Sequence, residues 1–363
     1  MNNKAFSAPS GGPPAAVSPR GTSIPGVAGS AAVYCAGAVP SAGPVPSNDR
    51  ALTGIANSSG LAVPVGASGV AASHAVAIRC RPITSADLEA VAALLKKGFG
   101  RQRTLQFWQH MLDALGDRAI PAGMPQYGYL MEAQSRPVGV LLSLSCTIRA
   151  ETTTLTRCNL SSWYVEPEFR PYGSLLSSRA LRHKEVTYLN ISPAPATWPL
   201  LEAQGYRRYA EGLFMSVPCL SAAPSADVEV IDAAAANAAI NAASDPFERT
   251  VLLDHLKSGC VSVWCKDDDG LYPFVFTRRV VWSTVPCFQL VYCRDIKDFV
   301  RLARPLGRYL AKRRRPLVLI DANGPVEGLV GRHFPDVRPK YFKGPHRPRL
   351  GDLAYTEAAL FGI

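Results

Sequence analysis

The stretch that decides the fold runs from Leu160 to Leu181 and has the sequence LSSWYVEPEFRPYGSLLSSRAL. Its first residues suit a strand, a Pro-containing turn with Arg170 and Gly173 follows, and the remainder suits a helix. The start of a helix gathers unpaired backbone N–H groups and the positive end of the helix dipole. The stretch therefore predicts a phosphate-binding turn between a strand and a helix.

Composition permits two domains and a tail. The chain has 363 residues, 47% hydrophobic and 18% charged, which is enough to bury two cores. The formal net charge of +11 suits nucleic acid, an anionic membrane surface, a nucleotide or an acidic carrier protein, and does not choose among them. No stretch reaches the ~18 consecutive apolar residues of a membrane span, and the N-terminus lacks the pattern of a secretory signal.

The nine cysteines are scattered and include no CxxC pair. This spacing predicts buried, reduced thiols in a cytoplasmic protein rather than a zinc site or a redox dithiol. None of the six histidines forms a pair with ligand spacing, so we predict no metal site.

Composition also sets the predicted boundaries. Residues 1–74 are mainly Ala, Gly, Pro, Ser and Val and lack the large side chains of a core, which predicts a disordered low-complexity tail. An over-extended start site would explain the same composition. Residues 75–218 show strand and helix patterns in the order β-α-α-β-β-β-α-β-α-β, a mixed α/β domain. A linker follows at 219–226, and a second domain covers 227–363.

The second domain repeats much of the first pattern. We interpret it as an internal duplication, with an unrelated second α/β domain as the alternative. Its predicted elements are a strand at 228–231, a helix at 246–257, a hairpin of 261–266 and 272–282, a strand at 286–293, a long basic helix at 296–313, a strand at 317–321, a short helix at 326–333 and a last strand at 353–360.

Two motifs of the first domain resemble the GNAT superfamily of CoA-dependent acyltransferases. The first is Tyr164–Leu175 (YVEPEFRPYGSL), and the second is Leu200–Tyr206 (LLEAQGY), a helix that ends in Gly and an aromatic residue. The resemblance covers residues 76–218 and continues more weakly, in fold alone, over the second domain. It implies tandem GNAT-like domains with a mixed sheet and crossover helices, the second copy being degenerate.

The resemblance also implies where CoA binds. The pyrophosphate would lie on the first backbone N–H groups of the helix, next to the positive charge of Arg170. The pantetheine arm would pair with the strand at a bulge, where an N–H polarises the thioester carbonyl. The implied contact residues are Trp163, Tyr164, Val165, Arg170, Tyr172, Gly173, Ser174 and Leu175.

The chain departs from the family pattern at four positions. Pro171 replaces a glycine of the turn and removes one N–H donor, and Leu175 replaces a small residue. Leu201 stands where family members often have a Tyr general acid, and Ala194 where they often have Asn. These changes put acetyl transfer in doubt and leave room for a larger acyl group.

Three residues are candidates for catalysis. Asn190 and Ser192 follow a strand beside the predicted bulge, where they either contact substrate and a water or merely form a turn. Glu166 is a candidate general base, and the alternative is a solvated turn residue. No enzyme nucleophile is required, because a bound acceptor can attack the thioester directly.

The second domain lacks the phosphate turn and is strongly basic. Its sequence at Tyr292–Lys297 has no glycine and places Asp295 at the helix start. Three interpretations of the charge stay open: a solvated helix face, a docking surface for an acyl carrier protein, and a grip on an anionic acceptor such as a saccharide acid or a peptide carboxylate. The basic residues are Arg294, Lys297, Arg301, Arg304, Arg308, Lys312 to Arg315, Arg338, Lys340, Lys343, Arg347 and Arg349.

The resulting hypothesis is a cytoplasmic acyltransferase. It would move an acyl group from a CoA or carrier-protein thioester to an amine or hydroxyl of an unidentified acceptor, with acyl-CoA as co-substrate and no permanently bound cofactor. One alternative is an inactive CoA-binding or interaction module. Another is a nucleic-acid binder acting through the basic second domain, which the placement of its aromatics in predicted core strands disfavours.

Overall fold

One mixed sheet of 12 strands runs through the structure. The computed structural model describes residues 77–100, 103–150, 153–222, 224 and 227–362. The predicted tail at 1–74 lies outside these residues. The mixed α/β class expected from the sequence is confirmed by this sheet and the helices on both of its faces.

The first half contains the ten elements predicted for it, in the predicted order. Hydrophobic spacing and caps explain why: Thr84 and Asp87 form a capping box before the first helix, and Thr104 caps the second by accepting from the N–H of Phe107. The elements are β1 (Ile78–Pro82), α1 (Leu88–Phe99), α2 (Leu105–Gly116), β2 (Gly128–Ala133), β3 (Arg136–Ala150), β4 (Thr153–Val165), α3 (Gly173–Ala180), β5 (Thr187–Asn190), α4 (Trp198–Ala203) and β6 (Arg207–Ser216).

The second half follows the prediction up to residue 322 and then departs from it. Its elements are β7 (Glu229–Asp232), α5 (Ala238–Ala243), α6 (Pro246–Lys257), β8 (Val261–Asp267), β9 (Gly270–Val281), β10 (Val285–Cys293), α7 (Ile296–Arg301), α8 (Ala303–Ala311), β11 (Val318–Ala322), β12 (Gly331–Lys343) and α9 (Glu357–Leu360).

Three predicted elements of the second half are wrong. The long helix breaks at Leu302 into α7 and α8, because Pro305 has no N–H to donate and its ring excludes the carbonyl four residues back. The predicted helix at 326–333 is a turn followed by the start of β12, whose first residues pair with β6. The predicted last strand at 353–360 instead contains the short helix α9.

The strand order shows a repeated topology with two strands exchanged. The order is β1-β2-β3-β4-β5-β12-β6-β11-β10-β9-β8-β7, and only β4–β5 and β10–β11 are parallel pairs. Strand β12 of the second half pairs with β5, and β6 of the first half pairs with β11. The sheet is therefore continuous across the predicted linker, and the division at 219–226 stays a prediction.

The two faces of the first half have separate cores. Helices α1 and α2 pack on one face, where Leu95 and Leu112 meet Val140 and Leu142 of β3. Helix α3 packs on the opposite face, where its Leu176 meets a second cluster that includes Leu141, Cys158 and Leu160. Because side chains alternate along a strand, Asn159 and Ser161 of β4 point away from α3.

A buried ion pair joins the two halves. Arg157 of β4 lies 3.1 Å from Asp352, just before α9, and its Nη2 also donates to the carbonyl of Ala354 at 2.7 Å. Burial alone would raise the pKa of Asp352, but the charges of Arg157 and Arg349 outweigh it and lower the pKa to about 2. The C-terminal segment is thus fixed to β4 by charge as well as by packing.

We expect Arg157→Met to destabilise the protein by about 3–5 kcal/mol, because it leaves the buried Asp352 carboxylate without its partner. Urea denaturation at neutral pH measures the loss. Arg349→Met is the control: its side chain is 39% exposed, and we expect a loss below about 1 kcal/mol.

The same pair predicts a pH dependence of stability. Since the folded pKa of Asp352 lies below its unfolded value, its contribution is present above the unfolded pKa of about 3.9 and is lost as the pH falls toward 2. Arg157→Met should flatten this part of the stability profile. An unchanged profile and an unchanged denaturation midpoint would show that the pair does not anchor the segment.

Candidate active site

The parallel strands β4 and β5 separate at one end. Their paired residues run from Arg157–Thr187 to Asn159–Leu189, and β4 then continues to Val165 while β5 ends at Asn190. The other edge of β5 is covered by β12, which pairs Tyr341 with Asn190. A gap therefore opens in the sheet beside the last residues of β4.

A bulge in β4 lies at this gap. Val140 of β3 pairs with Tyr164 and Leu142 pairs with Ser161, so β4 holds one extra residue there, and Ser162 has a φ of 52°. The extra residue reverses the alternation of side chains. Trp163 and Val165 consequently pack with the core under α3, while Tyr164 packs with the core under α1. This is the bulge that the family resemblance implies.

Tyr164 fits against α1 only because Gly98 has no side chain. A Cβ atom at Gly98 would lie 2.5 Å from Cδ2 of Tyr164, closer than real contacts allow. The helix and the bulged strand are thus matched in shape, which fixes the direction in which β4 leaves the sheet.

The predicted phosphate turn is tighter than expected. Residues Pro167–Tyr172 form a 3-10 helix, and the N–H of Gly173 donates to the carbonyl of Arg170. That N–H has a partner within the chain, because Pro167 and Pro171 fix backbone angles that suit a 3-10 turn, and Gly173 as a CoA contact stays a prediction. Tyr172, Ser174 and Leu175 are exposed at the start of α3.

Two side-chain donors at the turn are unsatisfied. Within the described residues, Nε1 of Trp163 and Nε of Arg170 are buried and have no hydrogen-bond partner. Buried donors are normally paired, so such atoms call for a partner outside the chain or an ordered water. A Cβ atom at Gly173 would lie 3.5 Å from Trp163, which places the indole directly under the turn.

Glu166 is held in two ion pairs. Lys97 donates to Oε1 at 2.6 Å and Arg136 donates to Oε2 at 2.7 Å, and the Glu166 side chain is 8% exposed. Burial alone would raise its pKa, but the two cations outweigh this and lower it. The lowered pKa disfavours Glu166 as a proton acceptor, and its role as a general base stays a prediction.

A carboxylate that the sequence did not indicate lies at the gap. Glu357, the first residue of α9, accepts hydrogen bonds from the hydroxyls of Ser161 on β4 and Ser192 after β5. Its backbone N–H donates to Oδ1 of Asn159 at 2.9 Å. Of the predicted catalytic residues, Ser192 thus meets Glu357 directly, and Asn190 pairs with β12 through its backbone.

Glu357 is a stronger base than an ordinary glutamate. Burial raises its pKa, against the hydrogen bonds from Ser161 and Ser192 and the charges of Arg103 and Arg279. A buried carboxylate with a raised pKa beside an open strand edge has the properties of a general base. No local sequence signal indicates it, since Glu357 stands in a short Ala-rich stretch far from β4.

Leu201, which occupies the position of the family's Tyr, is a core residue. It is 3% exposed and packs with Leu176 and Tyr206 under the face that carries α3. The aliphatic side chain of Leu201 has no proton to donate, so it cannot act as a general acid.

The second half has the same bulge and gap, but its gap is filled. The bulge lies at Val291 of β10, between the pairs Leu290–Phe276 and Tyr292–Val275. The segment Gly351–Leu353 then pairs with this edge: Cys293 N–H donates to the carbonyl of Gly351 at 2.9 Å, and Leu353 N–H donates to that of Val291 at 2.7 Å. Asp295 caps α7 with its own carboxylate.

Many of the basic residues that the sequence grouped together have partners within the chain. Ion pairs join Arg294 to Glu248, Arg301 to Asp267, Arg313 to Asp232, and the fully buried Lys340 to Asp321. Arg315 donates to the carbonyl of Arg279. The positive charge is thus partly neutralised inside the protein, and Lys340 belongs to the core rather than to a basic surface.

In the part of the chain that the structure describes, no helix has the length and apolar character needed to cross a membrane. The eight described cysteines are free thiols; six of them are buried, as the sequence predicts, and Cys80 and Cys219 are half-buried.

Comparison with known proteins gives structural similarity alone. No protein-family model matches the chain, and no curated protein matches it. Among solved structures, a probable N-acyltransferase from Enterococcus faecalis is 12% identical, covers 76% of this chain and 73% of its own, and has a TM-score of 0.47.

Two further solved structures are similar to the chain. A GCN5-related N-acetyltransferase from Anabaena variabilis is 10% identical, with 74% of this chain and 72% of its own covered and a TM-score of 0.49. Naa50 from Arabidopsis thaliana, in complex with the bisubstrate analogue CoA-Ac-MVNAL, is 12% identical. The match covers 37% of this chain and 85% of Naa50, with a TM-score of 0.28.

Gly351 provides a test of the filled second gap. It has a φ of 76°, and a Cβ atom there would lie 2.7 Å from Sγ of Cys293. We expect Gly351→Ala to lower the free energy of unfolding by about 2–4 kcal/mol, from backbone strain and this clash together.

Gly259→Ala is the matched control, because Gly259 has a φ of 80° and a Cβ atom there would meet nothing within 4 Å. The free energy of unfolding should therefore fall by only about 1 kcal/mol, from backbone strain without a clash. Equal losses in the two variants, measured by chemical denaturation, would mean that the segment does not pack closely on β10.

Proposed function

We propose that the protein is an acyltransferase that binds an acyl-CoA in the gap between β4 and β5. The observation that carries the proposal is the bulged, diverging end of β4. It places the Arg170 turn on one face of the sheet and the buried Glu357 on the other. A long thin thioester fits such a gap, with its phosphates at the turn and its acyl carbon beside Glu357.

The turn would hold the phosphates. Arg170 supplies positive charge and an unsatisfied buried Nε–H, and Trp163 supplies a second unsatisfied donor below it. The N–H groups of Ser174 and Leu175 at the start of α3 and the helix dipole would add to this. The open edge of β4 beyond Asn159 would pair with the amides of the pantetheine arm.

The chemistry is a direct attack on the thioester. An amine or hydroxyl of the acceptor adds to the acyl carbon and gives its proton to Glu357, and the C–S bond then breaks to release the CoA thiolate, which takes up a proton. Ser161 and Ser192 orient the Glu357 carboxylate through their hydrogen bonds. Glu357 therefore replaces Glu166 as our candidate base.

Two alternatives remain distinct from this proposal. An inactive CoA-binding module would keep the phosphate turn without turnover. A nucleic-acid binder would need an exposed basic surface, and the ion pairs of Arg294, Arg301 and Arg313 reduce that surface. The carrier-protein thioester stays open as the acyl donor.

CoA binding is the first test. We expect CoA and acetyl-CoA to raise the melting temperature, and an acyl-CoA series with an amine panel to release thiol. Arg170→Ala should weaken CoA binding by about 1–3 kcal/mol, the scale of a lost charged hydrogen bond. Arg182→Ala is the control, because Arg182 is exposed just beyond the far end of the same helix. This variant should bind CoA as tightly as the wild type. No stabilisation by millimolar CoA would contradict the proposal, whereas binding without turnover would favour the inactive module.

Glu357→Gln tests the base. It should lower kcat by about 10²- to 10⁴-fold, the usual contribution of general base catalysis, and leave CoA binding unchanged. Because the active form is the carboxylate and its pKa is raised, wild-type kcat should rise with pH through a value above that of an ordinary glutamate. The Glu357→Gln variant should not show this rise of kcat with pH.

Glu166→Gln is the comparison for this experiment. It breaks two ion pairs and should lower stability more than kcat. If Glu166→Gln abolished turnover and Glu357→Gln did not, the sequence-based choice of base would stand and ours would fall.

A further inference from the structure

The carboxylate of Glu357 is enclosed by other groups. The residue is only 2% exposed, and each of its two oxygens accepts a hydrogen bond, Oε2 from the hydroxyl of Ser161 and Oε1 from that of Ser192. Each oxygen has a second lone pair, but a residue this buried leaves no opening for an acceptor of several atoms. The proton of the acceptor must therefore cross another group to reach the base.

Glu357 is also held from turning outward. Its backbone N–H donates to Oδ1 of Asn159 at 2.9 Å, and the amide of Asn159 donates to the carbonyl of Leu189 on β5 at 3.4 Å. Thr356, the N-cap of α9, makes no side-chain cap bond, and its hydroxyl donates instead to the carbonyl of Leu353 at 2.6 Å. Asn159 thus supplies a partner for the first N–H of this helix from a distant strand. Both the backbone and the carboxylate of the base are fixed.

Two hydroxyl routes lead from the buried carboxylate toward the surface. On one side Ser192, which is half-buried and follows β5, donates directly to Glu357. On the other side the route has two steps. Ser161 is 4% exposed, and its oxygen lies 3.1 Å from that of the half-buried Ser162 in the β4 bulge. Each route thus begins at a partly exposed hydroxyl and ends at the same carboxylate.

Ser192 has the better geometry for passing a proton. Its hydroxyl donates to Glu357, and within the described residues no group donates to its oxygen, so that oxygen can accept from a bound molecule. The oxygen of Ser161, in contrast, already lies beside that of Ser162. A hydroxyl that donates on one side and accepts on the other transfers a proton in a single step, with one proton arriving as another leaves.

We propose that the acceptor gives its proton to the hydroxyl of Ser192, and that Ser192 passes its own hydroxyl proton to Oε1 of Glu357. This deepens the proposed function and rests on it, because it names the group that contacts the nucleophile. Ser192 is then a catalytic residue, whereas Ser161 and Asn159 are positioning residues for Glu357.

The relay leaves both side chains unchanged after one turnover. As the bond from the nucleophilic nitrogen or oxygen to the acyl carbon forms, one proton moves from the nucleophile to Ser192 and another moves from Ser192 to Glu357. The C–S bond breaks and its electron pair stays on the CoA sulfur. The proton on Glu357 then returns through Ser192 to the thiolate or to solvent.

Removal of the Ser192 hydroxyl is the first test. Thiol release from acetyl-CoA is measured with ethanolamine, a probe that offers both an amine and a hydroxyl. We expect Ser192→Ala to lower kcat by about 10²-fold, within the usual range for proton transfer, with little change in the KM of acetyl-CoA. Ser192→Thr keeps the hydroxyl and should restore most of the loss. Ser216→Ala is the matched control, because the buried hydroxyl of Ser216 donates to the carbonyl of Val330 at 3.2 Å and not to Glu357.

The second measurement does not depend on turnover. Burial raises the pKa of Glu357, and the hydrogen bonds from Ser161 and Ser192 act against it. Ser192→Ala should therefore raise this pKa further, whereas Ser192→Thr should not, as measured by NMR titration of the Glu357 carboxyl carbon. The rise of kcat with pH should move to higher pH by the same amount. A merely structural role of Ser192 would lower stability without moving this profile.

Three results separate failure of the relay from failure of the acyltransferase. If Ser162→Ala lowered kcat and Ser192→Ala did not, the proton would travel through Ser161, and the relay would be overturned. An unchanged Glu357 pKa in Ser192→Ala would also overturn it, because the hydroxyl would not contact the carboxylate. A shifted pKa in a protein that releases no thiol from any pair of acyl-CoA and amine would overturn the acyltransferase, and the relay with it.

Discussion

The buried ion pair between Arg157 and Asp352 is the constraint on which the candidate site depends. It joins β4 to the segment before α9, and Asp352 also pairs through its backbone with Tyr292 of β10. One residue is thereby tied to both halves of the sheet. Glu357 follows five residues later along a short, largely buried path, so the position of its carboxylate is set by this anchor and not by α9 alone, which is too short to be stable by itself.

A repeated topology gives two diverging strand ends, and the C-terminal segment makes them different. At β10 the backbone of Gly351–Leu353 occupies the open edge, so that edge has its hydrogen-bond partners. At β4 the same segment contributes a side chain, Glu357, and leaves the end of the strand beside a gap. The exchange of β6 and β12 allows this, because it brings the end of the second half next to β5 of the first.

Local patterns were enough to predict the first half. Alternating apolar residues, helical spacing and helix caps act over a few residues, and the ten elements follow from them. The β4 bulge follows from the family motif. The exchanged strand β12 and the helix α9 depend on contacts between distant residues, and their local sequence predicted a helix and a strand instead. Ser161 and Glu357 are 196 positions apart, so no spacing rule connects them. The tight Gly173 turn was missed because two prolines overrode the motif.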